Sequence, residues 1–309
     1  MSVHRFPFRA MACGCEVMLA AVDQAAAATL AQVAVDEVQR IENKYSRYRA
    51  DSLLSQINAA AGGEPVACDD ETWALLNYAQ TLFVASGGLF DITSGVLRRG
   101  WDFKQARVPS AAQLQPLLAL IGWPRVQREA QQVRLPTAGM ELDFGGFGKE
   151  YAADCAAAAL SRQGVQHGYV NLGGDIRVLG PQADASPWLM GIQHPRRPGR
   201  LLATVPLSSG GLATSGDYER YFELDGHRYC HVLDPRSAQP VTQWRSVSVL
   251  APLAVVAGTC STITMLKQAQ GLDFLRSTGM AYLAVDHEGQ VHQRHMGAAP
   301  GTAPGIDEL

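Results

Sequence analysis

The sequence lacks a strong excess of charge of either sign. Its 26 Lys and Arg residues nearly balance 29 Asp and Glu, which gives a formal net charge of −3 over 309 residues. This balance offers no electrostatic reason to expect nucleic acid or an anionic membrane as the main partner. Charged residues make up 18% and hydrophobic residues 47%, so a disordered or collagen-like chain is excluded and an ordinary globular protein is expected.

Long apolar runs are also missing. No segment approaches the roughly 20 apolar residues of a membrane-spanning helix, and the first residues lack the basic, apolar and small-residue regions of a secretory signal. We therefore expect a cytoplasmic protein without membrane insertion. The six cysteines include a Cys13 and Cys15 pair, but no second pair or nearby His completes a zinc pattern. Reduced and mostly buried thiols are expected.

The spacing of apolar residues predicts an α+β fold, because strands cluster in the second half without regular βαβ alternation. We expect a single domain over residues 1–296, undivided or built from two subdomains, and a mobile tail over 297–309. Helices are predicted at 25–43, 53–57, 70–86, 110–121, 149–163 and 253–268. Strands are predicted at 15–22, 133–135, 141–143, 165–171, 176–179, 188–193, 201–206, 212–214, 221–224, 227–233, 246–250 and 281–286.

Glycine, in contrast, is plentiful, and three glycine-centred segments carry the chemically interesting residues. The first, LDFGGFGKEY (142–151), is expected to run from a strand through three glycines into a helix. Backbone N–H groups at such a helix start can face an anion. Lys149 adds a cation, and Asp143 could accept hydrogen bonds from a heterocycle or ribose. The spacing matches neither common nucleotide-binding loop, so a simple tight turn is the alternative.

The other two glycine segments lie further along the chain. In YVNLGGDI (169–176), the glycine pair predicts either a hairpin turn or a close approach of backbone to a nucleotide. The segment 213–236 is dense in polar residues and contains His231 followed by Asp234, a combination that could act as a base and its orienting group. A purely structural histidine is the alternative.

Six collinear segments together resemble the ApbE family of FAD:protein FMN transferases. They are Met11 with Gly14, YSRYRADSLLSQIN (45–58), GLFDITSGVL (88–97) and the three glycine segments. The resemblance implies a mixed or antiparallel sheet core with flanking helices and an FAD cleft. It also implies Mg²⁺-dependent transfer of FMN from FAD to a Ser or Thr hydroxyl of a target flavoprotein, with release of AMP.

The resemblance assigns roles to individual residues of this sequence. His231 would be the base that takes the proton from the acceptor hydroxyl, and Lys149 would share in catalysis. Metal ligands would be Gly146, Ser261 and Thr262. The implied contacts to the flavin nucleotide are Met11, Tyr48, Phe90, Asp91, Asp143, Lys149, Asp175, Asp217 and Val232.

Two departures from the family pattern affect the expected metal site. In AGTCST (257–262), Gly258 stands where the family has a metal-binding Asp, and Glu150 stands where a Gly is usual. Glu150 would either be unfavourable beside the pyrophosphate or supply the missing carboxylate, because Mg²⁺ binding usually includes one or two carboxylates. If the missing ligand only weakens catalysis, Gly258→Asp is expected to raise activity or Mg²⁺ dependence.

Two functions therefore remain open from the sequence. One is an active Mg²⁺-dependent flavin transferase. The other is a flavin-nucleotide carrier or sensor, or an FAD hydrolase, in which transfer is weakened or lost through Gly258.

Overall fold

The computed structural model describes residues 1–294, so the predicted mobile tail over 297–309 lies outside the described residues. The helices are α1 (Gln24–Tyr45), α2 (Leu53–Ala59), α3 (Asp70–Ser86), α4 (Ala111–Leu118), α5 (Gly148–Arg162), α6 (Ala254–Lys267) and α7 (Gly271–Thr278). The strands are β1 (Ser2–Ala10), β2 (Cys13–Ala21), β3 (Val66–Ala67), β4 (Gln127–Glu129), β5 (Gln132–Arg134), β6 (Gly168–Leu172), β7 (Asp175–Gly180), β8 (Trp188–Gln193), β9 (Leu201–Leu207), β10 (Gly210–Gly216), β11 (Tyr221–Leu224), β12 (His227–Cys230), β13 (Trp244–Ala251), β14 (Ala281–Asp286) and β15 (Val291–Arg294).

An eight-stranded sheet forms the centre of the fold, in the order β1-β2-β6-β7-β10-β13-β14-β15. Each neighbouring pair in this sheet is antiparallel. Smaller antiparallel sheets join β3, β5 and β4, then β8 with β9, and β11 with β12. This architecture confirms the predicted α+β class and the predominance of antiparallel pairing.

Helices α1, α5 and α6 pack on one face of the central sheet. The buried side of α5 is built mainly from alanines, including Ala152, Ala153, Ala156 and Ala157. Side chains this small let neighbouring helices and strands approach closely. The opposite face is covered by the β8–β9 hairpin, whose Met190 and Ile192 join a second buried cluster. The sheet is therefore a middle layer, with α5 and α6 fixed against it.

The strand predicted at 141–143 is wrong, because this segment takes no regular secondary structure. Its backbone groups bond elsewhere. Leu142 N donates to Asn58 Oδ1 at 2.7 Å, Asn58 Nδ2 donates to Leu142 O at 2.9 Å, and Asp143 N donates to Ile92 O at 2.8 Å. A side-chain amide thus replaces the pairing that a neighbouring strand would provide.

The strand predicted at 227–233 is too long, since β12 ends at Cys230 and His231 lies in the bend that follows. Strands β1, β3, β4 and β15 and helix α7 were not predicted from the sequence. In β1, Phe6, Phe8 and Ala10 are the more buried residues and alternate with exposed ones, which is a strand pattern.

Candidate active site

Two turns and a helix start converge near Lys149. The β1–β2 turn consists of Met11 and Ala12, both with positive φ, at 51° and 61°. The β6–β7 turn is Gly173-Gly174, and a Cβ at Gly173 would lie 2.9 Å from Cys13 Sγ and 4.0 Å from Lys149 Nζ. Lys149 is in the first turn of α5, whose N-terminus has no side-chain cap. Backbone N–H groups left without such a cap are available to an anion.

Lys149 is held by an ion pair. Its Nζ donates to Asp175 Oδ2 at 2.5 Å, and the Asp175 side chain is only 5% exposed whereas that of Lys149 is 36% exposed. Burial lowers the pKa of Lys149, but the charges of Asp175 and Glu150 outweigh this and the pKa is raised overall. Burial raises the pKa of Asp175, against the opposing effect of Lys149. Lys149 is therefore a fixed and partly accessible cation, suited to contact a phosphate.

His231 presents a solvent-exposed side chain in the bend after β12. Loss of hydration at the ring lowers its pKa to about 4, and the charges of Arg220 and Lys149 act in the same direction. The imidazole is consequently neutral near pH 7, the form that a general base requires.

The predicted hydrogen bond between His231 and Asp234 is not formed. Asp234 Oδ1 accepts from Arg236 N at 2.8 Å and so closes its own turn. No hydrogen bond joins its carboxylate to the His231 ring in the part of the chain that the structure describes. Asp234 thus closes a turn in this structure, and these contacts lend no support to an orienting role toward His231.

Asp143 and Tyr48 are brought together by Arg47, which the sequence analysis did not single out. Arg47 forms an ion pair with Asp143 and donates from Nη2 to Tyr48 Oη at 2.9 Å. Its guanidinium also lies 4.9 Å from the centre of the Tyr48 ring. Asp143 Oδ1 accepts from Gly145 N at 2.8 Å. The only signal for Arg47 was its place beside Tyr48 in the segment 45–58.

Phe90 and Asp91 are both buried. A Cβ at Gly146 would lie 2.9 Å from the Phe90 ring, so this aromatic residue presses directly on the glycine backbone. The Asp91 carboxylate accepts from Thr93 N at 2.8 Å and from Trp123 N at 3.0 Å. These contacts make Asp91 an anchor of its loop, and its contact with a flavin nucleotide stays a prediction.

Asp217 and Val232 also make internal contacts. Asp217 accepts two hydrogen bonds from Arg196, at 2.7 and 2.6 Å, in the bidentate arrangement typical of arginine and carboxylate pairs. Val232 O accepts from Val241 N at 3.0 Å. Their roles toward a nucleotide, like those of Met11 and Tyr48, remain predictions.

The two metal ligands predicted on α6, Ser261 and Thr262, share one helix face with Gly258. Ser261 and Thr262 follow Gly258 by three and four residues, the spacing of neighbours on a helix surface. Ser215 Oγ lies 2.7 Å from Ser261 Oγ and 3.0 Å from Thr262 Oγ1, so β10 adds a third hydroxyl that the sequence analysis had not assigned.

Glu150 lies directly against Gly258. A Cβ at position 258 would be 2.6 Å from Glu150 Cγ and 2.7 Å from Cδ, closer than real atoms approach. Glu150 is 7% exposed, and its Oε2 has no hydrogen-bond partner. Burial and the charge of Asp175 raise the pKa of Glu150 to about 8, against the opposing effect of Lys149. An aspartate at 258 would overlap the present Glu150 side chain, so the gain expected from Gly258→Asp requires that side chain to move.

Residues 1–294 contain no cluster of three or more His, Cys, Asp or Glu side chains that could hold a metal ion. A Mg²⁺ ion at Gly258 would therefore need hydroxyl, backbone or substrate oxygens beside a carboxylate. The unpartnered Glu150 Oε2 and the hydroxyls of Ser261 and Thr262 are hard oxygen donors, and they fit that requirement.

Within residues 1–294, no helix has both the length and the apolarity to cross a membrane.

Comparison with known proteins agrees with this fold and arrangement. The sequence model of the ApbE family matches residues 11–284. An FAD:protein FMN transferase of Klebsiella pneumoniae is 34% identical over 220 residues, covering 69% of this chain and 68% of that protein. One of Treponema pallidum is 34% identical over 244 residues, covering 73% and 67%.

Solved structures are similar as well. The crystal structure of the ApbE protein of Thermotoga maritima superposes with a TM-score of 0.87 at 28% identity, covering 94% of this chain and 97% of that one. The flavinyl transferase ApbE of Pseudomonas stutzeri, in its apo form, gives a TM-score of 0.83 at 30% identity, covering 94% of each chain.

Fold and sequence together define a flavin transferase-like α+β enzyme. The chain belongs to the ApbE family. The predicted family, fold class and assignment as a transferase are thereby confirmed.

Proposed function

We propose that this protein transfers FMN from FAD to a Ser or Thr hydroxyl of an acceptor flavoprotein, in a Mg²⁺-dependent reaction that releases AMP. The observation that carries the proposal is the grouping of an accessible cation, a neutral histidine and a set of hard oxygen donors in a member of the ApbE family. We propose a cytoplasmic location and an acceptor reached from solution.

The chemistry is a substitution at the phosphorus of the FMN half of FAD. The acceptor oxygen forms a new P–O bond, the P–O bond to the AMP phosphate breaks, and AMP leaves with the bonding electron pair. His231 takes the proton of the acceptor hydroxyl, which its low pKa permits because the ring is neutral near pH 7.

Lys149 and the start of α5 bind the negative charge of the pyrophosphate. Asp175 keeps the Lys149 ammonium in place without covering it, since the lysine remains 36% exposed. Glu150, Ser261 and Thr262 would hold Mg²⁺, which when bound neutralises phosphate oxygens during the transfer. Tyr48 would contact the flavin nucleotide, and the backbone carbonyl of Gly146 would join the metal ligands.

Mass spectrometry tests this function. A soluble flavoprotein with a Ser or Thr near its flavin is incubated with FAD, Mg²⁺ and the enzyme, and a mass gain of one FMN phosphoester is expected on the acceptor. His231→Ala is expected to lose this gain while FAD still binds. AMP release without the gain would identify an FAD hydrolase, and neither product would identify an FAD-binding carrier or sensor.

A further inference from the structure

The contact between α5 and α6 explains why residue 258 is a glycine, although a helix at this position does not need one. Gly258 lies inside α6 with ordinary helical backbone, where glycine is less favourable than alanine by about 1 kcal/mol. The side chain of Glu150, on the neighbouring helix α5, accounts for this glycine. Glu150 fills the space into which any side chain at 258 would project. The two positions therefore form one unit, in which the side chain absent from α6 is replaced by one from α5.

One oxygen of the buried Glu150 carboxylate lacks a protein partner. Its Oε2 is buried and accepts no hydrogen bond. A buried carboxylate without compensation is costly, and an oxygen left in this state calls for a cation or another donor. Lys149 is the adjacent cation, but its ammonium donates to Asp175.

The other carboxylates near Glu150, buried Asp175 and partly buried Asp154, are already engaged. Asp175 is bound by Lys149. Asp154 accepts from the backbone N–H groups of Ala254 and Val255, at 3.0 and 2.9 Å, and so fixes the start of α6. Among these three carboxylates, Glu150 is the one whose oxygen remains unpartnered.

Hydroxyl oxygens complete the same surface of α6. Ser261 and Thr262 lie on the helix face of Gly258, and Ser215 approaches both hydroxyls from β10. A carboxylate, hydroxyls and the oxygens of a substrate phosphate are the ligand types that Mg²⁺ prefers. The Glu150 carboxylate thus occupies the position beside these hydroxyls that a carboxylate from residue 258 would otherwise take.

We propose that Glu150 is the carboxylate ligand of Mg²⁺ in this protein, reaching from α5 into the space that Gly258 leaves open. The proposal rests on the Mg²⁺ dependence proposed above. It also predicts that Gly258 and Glu150 are best exchanged as a pair, because a side chain at 258 would overlap Glu150 in its present conformation.

Direct metal binding separates this proposal from its alternatives. Mn²⁺, as a paramagnetic substitute for Mg²⁺, is titrated into the full chain with FAD present, and free Mn²⁺ is measured by electron paramagnetic resonance. Glu150→Gln keeps the shape and removes the charge, and it is expected to weaken Mn²⁺ binding at least tenfold. Glu64→Gln, which removes an exposed carboxylate outside these contacts, is the matched control and is expected to leave the affinity unchanged.

Moving the carboxylate back to α6 is the decisive variant. Gly258→Asp alone is expected to weaken Mn²⁺ binding through the clash, whereas Glu150→Gly with Gly258→Asp is expected to return the affinity to within about threefold of the wild type. Thermal unfolding without metal checks folding, and Glu150→Gln is expected to unfold near the wild-type temperature, because it keeps the shape of a buried side chain whose raised pKa leaves it largely protonated at neutral pH.

The proposal is overturned if Glu150→Gln binds Mn²⁺ as tightly as the wild type, or if the wild type binds none. A different pair of results would show that the proposed function fails while this metal ligand is correct. In that case Mn²⁺ binding still depends on Glu150, but the wild type transfers no FMN to the acceptor in the mass assay.

Discussion

Replacing Lys149 with methionine removes the ammonium that donates to Asp175 while keeping most of the side-chain length. Asp175 is 5% exposed, so its carboxylate would remain buried and unpaired. Removing one partner of a buried ion pair costs about 3–5 kcal/mol, and the 36% exposure of Lys149 reduces this to about 2–3 kcal/mol. We expect urea unfolding at about pH 7 to show a loss of that size.

The stability of Lys149→Met should also change with pH in a defined direction. Burial already raises the pKa of Asp175, and Lys149 opposes that rise. Without the lysine the pKa of Asp175 rises further, so the folded variant binds a proton more readily than its unfolded chain does. The stability of the variant therefore increases as pH falls from about 7 to about 5, and its deficit against the wild type shrinks.

A double variant is the control for Lys149→Met. Lys149→Met with Asp175→Asn removes both charges and is expected to recover most of the lost stability. The reasoning is refuted if Lys149→Met costs less than about 0.5 kcal/mol, the size typical of a solvent-screened pair. The reasoning is also refuted if the loss of stability of Lys149→Met is the same at about pH 7 and about pH 5.

Three further predictions concern single positions. FMN transfer should lose activity on the acid side around pH 4, where His231 takes up a proton, and an acid limb near the ordinary histidine pKa would contradict this base. Cys13, whose pKa is lowered to about 7 by its hydrogen bond with the neighbouring thiol, should react with iodoacetamide near neutral pH faster than the other cysteines; equal rates would contradict it. Gly146→Ala should weaken FAD binding measured by calorimetry, because its Cβ would meet Phe90 at 2.9 Å, whereas the control Gly14→Ala meets nothing within 4 Å and should bind normally.

The local sequence contained enough to predict the family and most of the helices and strands. Hydrophobic periodicity places α1, α3, α5 and α6 within a few residues of their observed bounds, because each pattern is set by neighbours along the chain. The segment at 141–143 was misassigned as a strand because its hydrogen bonds come from Asn58 and Ile92, which are distant in the sequence. Strand β1 was missed although its partner β2 is the next strand along the chain.

The contacts that the site residues make depend on the tertiary structure. The sequence shows a missing aspartate at Gly258 and an extra glutamate at Glu150, but only the packing of α5 on α6 shows that they share one space. Likewise, the pairing of Arg47 with Asp143 depends on where separate loops meet. Residue identity and spacing determine which groups are present, whereas their pairing depends on which surfaces the folded chain brings into contact.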